Sequence, residues 1–328
     1  MLPKTNNPAK VIIDILNAKS DKVAHMHKIA LLNYPQSLQS AIFGLQEMFM
    51  LANRFAEEDL FTVEILQETD LPPDPHFFAI IVPPSLSGGY YKSPSPDVTH
   101  WLQTAHQNTT VLCSACAGAF ILAASGLLAG RQVTTHWGLS DDLKQTYPDI
   151  HLDSDKILIN AGDIITAGGI MSWVDLGLEL VAQVAGPLLM RQVGKTLVVD
   201  TAPREQRFYR SFQPNRKHAD TAILAVQNHL QTHFDTNLTI TEMANMAGLG
   251  ERTFLRRFTK ACNHTPTQYV QRLRIQKACD LLESTVQSVE TIAYHIGYED
   301  ISAFRKVFFK IIGLTPRDFR NRFGEGPD

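Results

Sequence analysis

The chain has 328 residues, 44% hydrophobic and 19% charged, with a formal net charge of −3, which suits two globular domains each with its own core. No uninterrupted apolar run approaches the ~18 residues of a membrane span, and the opening MLPKTNNPAK lacks the basic-then-apolar form of a signal peptide. Four cysteines (113, 116, 262, 279) are too few for a disulfide framework and fit a reducing cytoplasm. The net charge hides an asymmetry: residues 203–328 carry 18 Lys/Arg against 13 Asp/Glu, and residues 1–202 carry 12 against 20. A basic second part suits a phosphate-binding surface, and an acidic first part avoids one.

Residues 1–26 are polar apart from VIIDIL at 11–16, either a strand or a short helix. The apolar run 28–32, stopped by Asn33-Tyr34-Pro35, predicts a strand and turn, and 40–55 shows helical spacing. A strand at 61–66, an apolar strand at 77–82 ended by Pro83-Pro84, a Ser/Gly/Pro loop at 85–96 and a helix at 98–107 follow. The next strand, 109–113, turns at Cys116-Ala117-Gly118 into a helix reaching 128. Short strands at 132–135, 157–160 and 164–167 precede helices at 172–184 and 186–197. Strands alternating with helices predict a parallel sheet covered on both faces. Residues 200–220, charged and Pro-bearing, read as a linker, with Asp220 positioned to cap a helix at 221–234.

The last third is written twice. Phe254, Phe258, Lys260, Thr265, Pro266 and Arg272 recur fifty residues later as Phe304, Phe308, Lys310, Thr315, Pro316 and Arg322. Met243-Ala244 and Gly248 return as Ile292-Ala293 and Gly297, one residue out of step. Each copy reads helix, Gly turn, helix, and Thr239 with Glu242 forms a capping box in the first. The second helix of each buries two phenylalanines and turns cations outward, the helix-turn-helix arrangement that lays a helix in the major groove. A small helical bundle with solvated charges is the plainer alternative. The pattern resembles the AraC/XylS family, whose DNA-binding domain carries two such units joined by a long helix. Here YVQRLRIQKACDLLEST follows Thr265-Pro266, and GLTPRDFRNRF resembles the closing signature. The resemblance implies base-facing positions Arg252, Leu255 and Arg256 in copy one, and Ile301, Ser302 and Lys306 in copy two. Arg257, Lys260, Arg305 and Lys310 are assigned to phosphate or solvent.

In the first part, Ser114-Ala115-Cys116-Ala117-Gly118 is the Cys form of a nucleophile elbow, whose sharp turn exposes the side chain and whose helix favours a thiolate. With Tyr34-Pro35, Gly44, Glu47, His136-Trp137 and Ala167-Gly168-Gly169 leading to Asp175, it resembles the PfpI-like branch of the class I glutamine-amidotransferase superfamily. It is similar above all to the GlxA-type subfamily, in which such a domain precedes an AraC-type one. Three departures count against catalysis. Ala41 stands where catalytic relatives place a carboxylate, Ala117 where they often carry His, and Pro84-Ser85 where they carry Gly-Gly, proline having no N–H for an oxyanion. The expectation is a retired active site used as a ligand pocket lined by Gly44, Glu47, Ser85, Cys116, Ala117, His136, Trp137 and Met171. The alternative reading keeps a Cys116-dependent hydrolase or glyoxalase-type activity; a third makes Cys116 a buried residue in a domain that only dimerises. Cys113 and Cys116 should face different environments, no second CxxC or HxxxH completes a zinc set, and His25-x-His27 lies in a weakly structured segment.

Together the resemblances imply a flavodoxin-like parallel sheet sandwiched by helices (27–199), after an extension at 1–26, then a linker at 200–219 and an all-α domain with two helix-turn-helix units at 220–325. They imply a cytoplasmic, dimeric transcriptional regulator, with RNA polymerase a further partner if it is an activator. It would bind double-stranded DNA at two successive major grooves and take a small, nitrogen-containing effector, with no cofactor, metal or membrane. Glu47 with Trp137 or Trp173 could offer a cationic effector an anionic and aromatic wall, and an acidic effector remains open.

Overall fold

A computed structural model describes residues 26–202 and 204–324, so the reading of 11–16 as strand or helix lies outside the described residues. The chain divides into two units, Met1–Gln206 and Arg207–Asp328. In the first unit, strands β1 (His27–Asn33), β2 (Phe61–Gln67), β3 (Ala79–Val82), β4 (Val111–Ala115), β7 (Leu158–Asn160) and β8 (Ile164–Ala167) form one sheet in the order β2-β1-β3-β4-β8-β7. Ile29 and Leu31 of β1 face one core, Ala30 and Leu32 the other, and all are at most 1% exposed. A strand buried on both faces has no polar side to show, hence the continuous apolar runs. Helices α1 (Gln39–Ala56) and α5 (Trp173–Leu197) cover one face, α2 (Pro96–Gln107) and α3 (Gly118–Ala124) the other.

Two departures from the expected sheet have local causes. β7 runs antiparallel to β8, because only residues 161–163 join them and a parallel crossover needs a dozen residues or more. The strand expected at 132–135 shrinks to β5 (Gln132–Val133), which pairs outside the main sheet with β6 (His151–Leu152). Beyond it Thr134 turns its backbone N–H to Thr166 Oγ1 (2.9 Å), leaving the ladder. Helix α4 (Ser140–Thr146) was not anticipated; Leu143 is its one buried residue, too little for a periodicity. Helix α5 is long and apolar enough to cross a membrane, but Gly186 (φ 83°) breaks it before Pro187, and Trp173, Leu176 and Leu180 sit in the core shared with α1. It is a core helix of this unit.

The second unit is helical: α6 (Thr221–Thr232), α7 (Ile240–Met246), α8 (Glu251–Cys262), α9 (Pro266–Ser284), α10 (Val289–His295), α11 (Ile301–Ile312) and α12 (Pro316–Phe323). Side-chain caps fix the starts. Asp220 accepts from Ile223 N, Ser288 from Thr291 N, and Thr239–Glu242 and Thr265–Gln268 are full capping boxes. The unit has two cores. Phe254 and Phe258 centre one with Tyr269 and Leu273, and Phe304 and Phe308 the other with Ile275, Ala278 and Leu282. Helix α9 supplies both, changing allegiance between Leu273 and Ile275.

Candidate nucleic-acid interface and nucleophile elbow

Helices α8 and α11 are held from behind. Phe254, Phe258, Phe304 and Phe308 are all 0% exposed, so packing from behind turns the opposite face of each helix outward. On α8 that face presents Arg252, Leu255, Arg256 and Lys260, all exposed. On α11 it presents Ser302, Arg305, Lys306 and Lys310, with Ile301 half-buried at the helix start. Arg257 and Arg305 have acidic partners: Arg257 donates twice to Asp220 (2.8 and 2.7 Å), and Arg305 to Glu290 (2.7 Å). The guanidinium of Arg257 holds the Asp220 carboxyl below the usual carboxylate range. Phe309, half exposed on α11 one position past the buried Phe308, was missed in the sequence, although its helical phase already takes it off the core face.

Arg274, on α9, was not singled out from the sequence either. It is 8% exposed, and its guanidinium donates to the carbonyls of Phe234 (2.6 Å), Asp235 (3.3 Å), Thr236 (3.0 Å) and Gly297 (2.9 Å) and to Asn237 Oδ1 (3.1 Å). Its partners lie far off in sequence, which is why no local pattern announced it.

In the first unit the strand-to-helix turn is as sharp as expected: Cys116 sits at φ 53° between β4 and α3, and its N–H donates to Ala167 O (2.8 Å). The expectations of an exposed side chain and a favoured thiolate fail. Cys116 is 2% exposed, and burial pushes its thiol up to about 12 despite a backbone contact to Ala117 that works the other way. A seven-residue helix does not offset the loss of water around the sulfur. Cys113 and Cys116 do lie in different cores, on opposite faces of the sheet. Tyr34, also buried, donates to Pro83 O (2.7 Å); burial raises its phenol, with Cys116 adding to the effect.

The other expected lining residues fall into three groups. Ser85 and Ala117 are buried, and Ser85 donates to Gln36 O (2.8 Å). Glu47 and Met171 are exposed. Gly44, His136 and Trp137 are half-buried, and burial lowers the His136 imidazole. Gly44 faces the Trp173 ring, which a Cβ there would meet at 2.4 Å. Trp173 is itself 8% exposed, so the aromatic wall proposed for it with Glu47 does not stand. A residue outside that set organises the region. Gln206 is 2% exposed; its Nε2 donates to Thr135 O (2.9 Å), Thr134 Oγ1 (3.1 Å) and Lys156 O (2.8 Å), while its Oε1 accepts from Trp137 N (3.1 Å). Thr135 Oγ1 in turn donates to Cys116 O (2.7 Å). Arg204 donates to both carboxylate oxygens of the half-buried Asp175 (2.9 and 2.8 Å), so the start of the stretch expected as a linker is tied to the first unit. Among the described residues no group of three or more His, Cys, Asp or Glu is placed to hold a metal ion.

Residues 243–322 match a helix-turn-helix domain family and residues 58–183 the DJ-1/PfpI family. The HTH-type transcriptional regulator CdhR of Pseudomonas aeruginosa is 29% identical over 234 residues, 71% of this chain and 66% of that protein. The HTH-type transcriptional regulator GlxA of Rhizobium meliloti is 28% identical over 243 residues, 69% of this chain and 72% of that one. The crystal structure of Drosophila melanogaster DJ-1beta aligns with 53% of this chain and 99% of its own, at 17% identity and a TM-score of 0.45. The chain joins a DJ-1/PfpI-family domain to an AraC-type helix-turn-helix domain.

Proposed function

We propose that the protein is a sequence-specific DNA-binding transcriptional regulator whose DJ-1/PfpI domain senses a small metabolite. The observation that carries the reading is the duplicated one: two helices, each locked by two fully buried phenylalanines, each turning cations to solvent within the matched helix-turn-helix region. Arg256 suits bidentate pairing with guanine, Ile301 an apolar contact with a thymine methyl, and Lys260 and Lys310 phosphate. Arg257 and Arg305 serve first to steady their helices through Asp220 and Glu290. Selection of genomic fragments by the full chain, beside an Arg256→Ala/Lys306→Ala double variant, tests this. One bipartite motif, lost in the variant, is expected; binding with no preferred sequence overturns it.

The DJ-1/PfpI domain acts here without catalysis. A buried thiol with its pKa near 12, alanine at 41 and proline at 84 support that reading. The effector site is assigned to the carboxyl ends of the strands beside the elbow. The bonded series Cys116, Thr135, Gln206 ties it to the last residue of the first unit. Turnover of an α-oxoaldehyde or an amide by the wild type, abolished in Cys116→Ser, would overturn the non-catalytic assignment.

A further inference from the structure

The two helix-turn-helix units present one geometric problem. Reading two successive major grooves requires their second helices to stay about one DNA turn, ~34 Å, apart in a fixed rotation. The covalent link is α9, whose 19 residues span ~28 Å, and its two ends belong to different cores. Separate cores on one rod leave their mutual rotation to whatever bridges them. At the point where α9 passes from one core to the other sits Arg274. Its donors reach the segment 234–237, which leads into copy one, and the carbonyl of Gly297, which is the turn of copy two.

The contact it closes is unusually tight. Gly297 has φ 84°, and a Cβ there would lie 2.1 Å from Asp235 O. Its counterpart in copy one, Gly248 (φ 65°), has open space around the same position. So Gly297 answers to the neighbouring copy as well as to its own turn. Arg274 also stands over the Tyr298 ring at 5.5 Å, which fixes the plane of the fork. In the fifty-residue register that pairs Arg272 with Arg322, the counterpart of Arg274 is Gly324, so the clamp occurs once, where the two copies meet.

We infer that Arg274 is a positioning residue for DNA reading: its guanidinium, clamped on the 234–237 and Gly297 backbones, sets the spacing between half-sites that the two recognition helices accept. This rests on the regulator reading above. Arg274 touches no DNA in this scheme; it decides how far apart, and at what rotation, the two readers are held.

The test uses the full chain and a random double-stranded DNA library, then a second library in which the two selected half-sites are separated by one base pair more or fewer. Wild type should enrich one spacing. Arg274→Met, which keeps volume and removes every donor, should accept neighbouring spacings, with at least a tenfold loss of discrimination between them and unchanged base preference inside each half-site. A cooperatively unfolding Arg274→Met with wild-type spacing discrimination overturns the clamp alone. If that variant does not fold, Arg274→Lys, which keeps the charge but loses the fork, is read the same way, and sharp wild-type spacing there overturns the clamp. Wild type with no enriched sequence overturns the regulator reading and the clamp with it.

Discussion

Copy one and copy two of the helix-turn-helix share a skeleton and differ in what surrounds it. Each has its pair of buried phenylalanines and its positive-φ glycine in the turn. Copy one exposes three cations on its second helix beyond the ion-paired Arg257, and its turn glycine is surrounded by open space. Copy two exposes two beyond the ion-paired Arg305, adds Phe309, begins with a half-buried Ile301, and presses its glycine against the backbone at Asp235. Repetition conserved the packing geometry, and the outer faces and the junction diverged. Copy one therefore turns a more cationic face outward, and copy two a more apolar face while it carries the joint.

Substitutions in the cores, the turns, the outer faces and the Asp220 cap test this difference between the copies. Phe254→Ala and Phe304→Ala each empty a fully buried site and should cost ~3–5 kcal/mol in denaturant unfolding. Hydrogen exchange then tells whether the cores are separate: protection in Phe304→Ala should fall in α10–α12 first, and equal loss in α7 and α8 would make them one core. Gly297→Ala combines a left-handed backbone with a clash against Asp235 O and should lose ~2–5 kcal/mol. Gly248→Ala has only the backbone term and should lose ~1–2 kcal/mol. Equal melting shifts for the two would remove the asymmetry argued for the junction.

At the outer faces, Arg256→Ala should relax preference at one base pair by ~1–3 kcal/mol in competition binding. Lys310→Ala should weaken binding evenly across sequences and reduce the salt slope by ~1. An even loss from Arg256→Ala would reassign it to phosphate. The smallest effect belongs to Asp220→Asn, which keeps a helix cap but breaks the pair with Arg257. The folded carboxyl is held below its unfolded value, so its contribution is present above the usual carboxylate range and is lost as pH falls through the lowered value. Asp220→Asn should therefore be slightly less stable at neutral pH, converge with wild type in acid, and lose the difference in high salt. A gap that persists at pH 2 would place its cause elsewhere.

What could be read from the residues themselves was what depends on near neighbours. The capping boxes, the phenylalanine faces of α8 and α11, and the turn at Cys116 all follow from spacing of four residues or fewer, the repeat from the same short patterns recurring fifty residues on, and all appear in the fold. So did the layered sheet, since strands buried on both faces leave uninterrupted apolar runs. The antiparallel β7 departed from the parallel sheet expected, although the three residues that join it to β8 are too few for a crossover. Only the tertiary structure decided the rest. The burial that keeps Cys116 a thiol, the Trp173 ring over Gly44, the tie of Gln206 to the elbow's neighbours and the clamp of Arg274 each bring together residues 19 to 129 positions apart. Desolvation and hydrogen bonding act through distance in space. A sequence orders residues only along the chain, so those four features came into view only when the chain had folded.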